Sequence, residues 1–292
     1  MKLQEINIRD PYILPYEGVY YLYGTRVGAP YPGATWGDQK GFDVYMSADL
    51  VNWSEGKSVF EITPDFWGRK DAWAPEVHRY RGKFYMFSSF MGTRRGTGIL
   101  VCDTPDGQFT PLTNVPITPA DWECLDGTLH IDPSGSPHVV FCHEWLQIKD
   151  GTVCEMQLSD DLKAGVTEPR TLWRATDYPF VRPVGKNKDS YVTDGPFLFR
   201  DSNGNLLCIW STFGDEGYAE LICTSDNNEL NGTWSVCKAP LFRQDGGHGM
   251  IFKDFQGHLH FIMHRPNSPA KSERPVILPL QEHQGTVALS ET

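Results

Sequence analysis

Apolar and polar residues alternate along this chain in short runs, and the runs come in pairs joined by a polar turn that carries a glycine. The first pair is "RDPYILPYEGVYYLYGT", starting at Arg9. Four more follow: "WAPEVHRYRGKFYMFSS", "LDGTLHIDPSGSPHVVFCHEW", "TDGPFLFRDSNGNLLCIWST" and "GHGMIFKDFQGHLHFIMHR". Alternation with a period of two around a Gly-bearing turn predicts a β-hairpin. The turn glycines, at 18, 82, 135, 204 and 257, lie 53 to 69 residues apart. After each hairpin comes a third strand signal: "FDVYMSADLVNW", "GILVCDTPDGQF", "CEMQLSDDL", "ELICTSDNNELNGTW" and, more weakly, "PVILPLQEH". Segments such as "KSVFEI" and "TLWRAT" supply an outer strand. No helix-sized window shows a 3.6-residue period. Four strands repeated five times predict an all-β fold, a five-bladed β-propeller with four-stranded blades around a central channel. No Pro/Gly/Ser-rich linker interrupts the repeats, so residues 1–292 are expected to form a single domain.

The repeats also align candidate chemistry. Counted back from the turn glycines, one column near the start of each first strand reads Asp10, Ala74, Asp126, Asp194 and His248, at 8, 8, 9, 10 and 9 residues. First strands of a propeller line its channel, so these side chains are expected to converge on one mouth. Carboxylates crowded together repel, which pushes their pKa values apart and leaves one protonated while another stays ionised. Glycosidic bond cleavage needs such a pair, an acid for the leaving oxygen and a base for water. The second strands return to the same mouth with Thr25-Arg26, Ser89-Phe90, Glu144-Trp145, Thr212-Phe213 and His264-Arg265. Aromatic faces there suit sugar rings and charged forks suit vicinal hydroxyls. Trp73, beside the column, and Trp36 are further candidate platforms.

Charge narrows the partners. A formal net charge of −11 argues against nucleic acid and anionic membrane surfaces, and is neutral toward sugars. Seven cysteines with no C-x-x-C pair match neither a zinc site nor a disulfide framework. With no apolar leader and no run of 18 apolar residues, a cytoplasmic location is expected. His258 and His260 share one strand face without a matching ligand cluster, so no metal site is assigned. "VGKNKDS", residues 184–190, is read as a solvated loop near the mouth, and Glu216 as an ordinary loop carboxylate.

Taken in order, the five motifs resemble glycoside hydrolase family 43, five-bladed propeller enzymes acting on arabinose- and xylose-containing glycans. The resemblance spans nearly the whole chain. It implies an inverting mechanism with Asp10 as general base and Asp126 as the residue that orients the acid and tunes its pKa. His248 falls on a pocket-floor histidine that helps hold a hydrated calcium ion in some members, and Arg265 resembles a substrate-contacting arginine. The departure lies in the fourth motif, where the family has Glu-Gly-Pro and this chain has Asp194-Gly195-Pro196. Asp194, one methylene shorter, and Glu144 are therefore both candidate acids. The expected activity is inverting hydrolysis of α-L-arabinofuranosyl or β-D-xylosyl linkages in plant-glycan oligosaccharides, with no cofactor required. Candidate substrate-binding residues are Trp73, Trp145, Phe213, His248 and Arg265. A glycoside phosphorylase and a non-catalytic carbohydrate-binding propeller are the alternatives.

Overall fold

A computed structural model describes residues 1–28, 37, 39–237 and 239–290. Its strands form five four-stranded antiparallel sheets, each ordered first to fourth along the chain. Blade 1 comprises Ile8–Tyr16, Val19–Arg26, Gly41–Ser47 and Lys57–Glu61. Blade 2 comprises Lys70–Tyr80, Lys83–Met91, Arg95–Cys102 and Thr110–Pro111. In blade 3 the strands are Cys124–Ile131, Pro137–His143, Thr152–Gln157 and Arg170–Arg174. Blade 4 has Asp194–Arg200, Leu206–Gly214, Gly217–Ser225 and Trp234–Val236. Blade 5 has Gly247–Lys253, Leu259–Arg265, Arg274–His283 and Thr286–Leu289. First strands touch in cyclic order, blade 1 to 2 and onward, with blade 5 closing back on blade 1. The fold is a five-bladed β-propeller. Among the described residues no helix is long and apolar enough to cross a membrane.

Packing explains the hydrophobic runs. Second strands lie between neighbouring blades and are covered on both faces, so alternation gives way to consecutive buried pairs such as Leu22-Tyr23, Met86-Phe87, Val140-Phe141, Ile209-Trp210 and Phe261-Ile262. Each such side chain contributes about 1.5–3 kcal/mol of burial. At the lower end of the sheets the hairpins close in two ways. Glu17-Gly18 and Arg81-Gly82 both have positive φ at two central residues, the tight-turn geometry that matches strand twist. The later hairpins use an aspartate instead: Asp132, Asp201 and Asp254 each accept backbone N–H groups across the turn.

One irregularity recurs where every first strand enters. Its pairing with the second strand slips just after Arg9, Trp73, Asp194 and Gly247, and the equivalent slip follows Leu125 in blade 3. The residue after each slip is left-handed: Asp10, Ala74, Asp126, Gly195 and His248 have φ between 47° and 56°. A bulge places two residues against one partner and re-aims both side chains. The sequence column therefore needs one correction: Gly195, not Asp194, is the blade 4 member, and Asp194 belongs with Arg9, Trp73, Leu125 and Gly247. The cause is the hairpin length, since blade 4 has its left-handed residue 9 positions before Gly204, as blades 3 and 5 do.

Candidate active site

Both bulge positions feed one cavity of about 490 Å³ at the mouth of the ring. From the first position come Arg9, Trp73, Leu125 and Asp194, and from the second Asp10, Asp126 and His248. Thr25, Glu144, Trp145, Leu146, Val184, Val192 and Phe213 complete the lining. The structure thus gathers eight of the nine residues assigned from the sequence as candidate catalytic or substrate-binding groups. Arg265 is the exception: its Nε donates to the Gln244 carbonyl at 3.0 Å, and its guanidinium lies over Phe242. Strand pairing accords with this, because His264 opposes Gly247 at the mouth, whereas Arg265, the next residue, pairs with Arg274 of the third strand. Arg9 is the guanidinium in the cavity. The sequence signal for it was available, since Arg9 precedes Asp10 as Trp73 precedes Ala74.

The carboxyls occupy different electrostatic settings. Burial alone would raise Asp10, but Arg9, His248 and a hydrogen bond from Thr25 hold it well below the ordinary carboxylate range. Arg9 Nε donates to Asp10 Oδ1 at 2.9 Å, Thr25 Oγ1 donates to Oδ2 at 2.7 Å, and His248 Nδ1 lies 3.2 Å from Oδ1. Asp126 is pushed up to about 7 by burial, against the pull of His248 and with the help of the Asp194 and Asp10 charges. Asp194 is raised by burial too, opposed by His248 and by Tyr218, whose hydroxyl donates to Asp194 Oδ2 at 2.9 Å. Burial likewise raises Glu144 to about 7, opposed by Arg95 at 3.6 Å. For His248, burial disfavours the charged ring, but Asp10, Asp126 and Asp194 outweigh it and raise its pKa. One cavity therefore holds an ionised carboxylate and three carboxyls biased toward their protonated forms.

A wall of different character rises from blades 3 and 4. Glu144 follows the third blade's second strand and is the N-cap residue of a single helical turn, α1 (Trp145–Ile148), whose Leu146 is 65% exposed. Trp145, Leu146, Val184 and Phe213 give this side an apolar rim. Val184 comes from the "VGKNKDS" loop, which does lie at the cavity. Arg95 sits 3.8 Å over the Trp73 ring, near both Asp71 and Glu144. Trp36 lies outside the described residues.

Other charged candidates are engaged elsewhere. Arg26 pairs with Asp43 and Glu61, and Glu216 with Arg243. His264 is buried behind Asp10, accepts the Asp10 N–H at Nδ1, and is lowered to about 3 by burial. His258 and His260 both bond Asp254 Oδ2. Around His248, calcium would want six to eight oxygen ligands. The ring's Nδ1 faces Asp10, its other edge packs against Gly195, and no group of three or more candidate ligands occurs among the described residues. These residues do not fit a directly ligated calcium.

Comparison with known proteins fits this geometry. Residues 4–281 match the sequence profile described as Glycosyl hydrolases family 43. The chain belongs to glycoside hydrolase family 43. As a family 43 glycoside hydrolase it takes a carbohydrate substrate. A crystal structure described as an endo-arabinase from Bacteroides thetaiotaomicron VPI-5482 is 38% identical with a TM-score of 0.88, covering 98% of each chain. An extracellular endo-alpha-(1->5)-L-arabinanase of Bacillus subtilis is 24% identical over 154 residues, covering 49% of this chain and 45% of that enzyme's length. A beta-D-galactofuranosidase of Aspergillus niger is 23% identical over 290 residues, covering 91% of this family 43 chain and 76% of its own length.

Proposed function

We propose that this family 43 enzyme is an inverting hydrolase of α-L-arabinofuranosyl linkages in short plant-glycan oligosaccharides, with β-D-xylosyl linkages as the secondary specificity. The observation that carries this reading is the gathering of four carboxyls in one cavity with Arg9, Thr25 and His248 around Asp10; these partners hold Asp10 ionised while burial pushes Asp126, Asp194 and Glu144 toward protonation. Asp10 is the general base. Held by Arg9, Thr25 and His248, its carboxylate takes a proton from the water that attacks the anomeric carbon. Asp194, entering from blade 4, is the general acid that protonates the departing glycosidic oxygen. Asp126 lies between His248 and blade 4, accepts the Gly195 N–H beside Asp194, and orients the acid from there. An inverting enzyme separates its acid and base by about 6.5–9.5 Å to admit water. Arabinose is favoured over xylose by the 38% identity to the endo-arabinase structure. The apolar rim of Trp145, Leu146 and Phe213 serves the leaving-group side, where ring faces stack.

The test is sugar release from aryl α-L-arabinofuranoside, aryl β-D-xyloside and arabino-oligosaccharides by wild type, Asp10→Ala, Glu144→Gln and Asp194→Asn, with the product anomer read by NMR. Loss of release in Asp10→Ala, together with rescue of Asp194→Asn by an activated leaving group, supports the assignment. Rescue confined to Glu144→Gln moves the acid to Glu144. No release from any of these substrates by wild type sinks the substrate assignment.

A further inference from the structure

The left-handed residue that opens each blade is tied to the blade before it, and the tie follows one rule at four of the five junctions. A side chain of the preceding second strand accepts that residue's backbone N–H. Thr25 Oγ1 accepts Ala74 N–H at 2.7 Å, Ser89 Oγ accepts Asp126 N–H at 2.8 Å, and Ser211 Oγ accepts His248 N–H at 2.6 Å. Across the last junction, His264 Nδ1 accepts Asp10 N–H at 3.2 Å. Each of these acceptors is fully or nearly fully buried. Each also has an onward donor direction, Thr25 to Asp10, Ser89 to Asp126, Ser211 to Glu220, and His264 Nε2 toward Asn267.

The junction between blades 3 and 4 departs from the rule. The register equivalent of Thr25, Ser89, Ser211 and His264 is Cys142, paired with Leu125. A thiol sulfur is a weak acceptor, and the Gly195 N–H turns instead to Asp126 Oδ2 at 3.0 Å. Gly195 directly follows Asp194, so this bond fixes the backbone that presents the blade 4 carboxyl.

We propose that Cys142 is a positioning residue: by withholding the strong acceptor found at the other junctions, a hydroxyl at three of them, it makes the Asp126 carboxyl the latch of blade 4. A carboxyl inside the cavity thereby holds the main chain of Asp194 as well as facing its side chain. Its catalytic consequence rests on the reading of Asp194 as proton donor, whereas the latch itself does not.

The experiment compares wild type, Asp126→Ala, Cys142→Ser and the double variant by hydrogen exchange of the peptide containing Gly195, alongside kcat and KM on an aryl α-L-arabinofuranoside. In Asp126→Ala the Gly195 amide loses its acceptor and exchanges faster by about tenfold or more. Adding Cys142→Ser supplies the regular hydroxyl, restores protection and regains part of the lost kcat with KM little changed. Exchange in the double variant equal to that of Asp126→Ala overturns the proposal, as does unchanged exchange in Asp126→Ala itself. If Asp126→Ala does not fold, Cys142→Ser alone decides: slower Gly195 exchange supports the latch and an identical rate refutes it. Exchange is read without turnover, so absence of arabinosidase activity overturns the substrate reading while leaving this one measurable.

Discussion

Replacing Tyr218 by phenylalanine deletes one hydroxyl and leaves its ring, which stacks on His264 at 5.6 Å and meets Phe213 edge-on. What is lost is the 2.9 Å hydrogen bond to Asp194 Oδ2. That bond favours the ionised carboxylate, so its removal raises the Asp194 pKa further. A hydrogen bond to a charged group is worth about 1.5–3 kcal/mol, and one pKa unit corresponds to about 1.4 kcal/mol. Water in the open cavity replaces part of the loss, leaving an expected shift of about one unit. A general acid must be protonated to act, so the alkaline limb of kcat/KM moves to higher pH by about that amount in Tyr218→Phe. The assay is a pH profile on an aryl α-L-arabinofuranoside with a poor leaving group, where protonation limits the rate. An unmoved limb refutes Asp194 as the group it reports. The limb should then vanish in Glu144→Gln, because Glu144, raised to about 7 by burial, is the other acid at the cavity.

Asp10→Asn removes the base and is expected to lower kcat by about 10²–10⁴-fold with the propeller retained; activity within threefold of wild type would contradict its role. Glu220, wholly buried and raised to about 8 by burial, binds a proton in the folded state that the unfolded chain releases near its ordinary value. Between those two pH values stability falls as pH rises, by up to about 1.4 kcal/mol per unit. The Tm difference between Glu220→Gln and wild type should therefore grow in the variant's favour from pH 5 to pH 8; a constant difference would show the group is not titrating so. Ala74 is left-handed at φ 47° and contributes no polar group to the mouth. Ala74→Gly relieves about 1–2 kcal/mol of backbone strain against a smaller entropic cost, so Tm rises rather than falls.

The propeller was legible because its repeats are written in the two quantities a sequence displays best, strand alternation and turn chemistry. Gly18 and Gly82, and the aspartates at 132, 201 and 254, mark the hairpins wherever the hydrophobic runs are ambiguous. The mouth was legible in part. Asp10, Asp126 and His248 share a repeat position, and Glu144, Trp145 and Phe213 lie at or just beyond the ends of second strands. Bulges defeated the single-column picture: residues from two adjacent first-strand positions reach the cavity, which hid Arg9 and shifted Asp194 by one place. Tyr218, Ser211, Glu220 and Arg95 were not visible because their importance lies in what they touch across strands and blades. Arg265 was misplaced for the converse reason, since a resemblance of motifs does not say which side of a strand end a side chain takes.

Among the described residues every blade of this ring is one continuous stretch of chain, and no strand from one end completes a sheet begun at the other. Among the described residues the seam between blades 5 and 1 has no sheet hydrogen bonds, and side chains seal it: Arg274 bonds Asn7, Arg9 lies near Glu273, and His264 accepts the Asp10 N–H. Asp10 itself sits in that seam, facing His248 across it. Parting the two edges would separate base from partner while all five sheets keep their hydrogen bonds. In a slow denaturant titration catalysis should therefore fade before the far-ultraviolet signal of the strands, which makes turnover the sensitive gauge of whether the ring is shut.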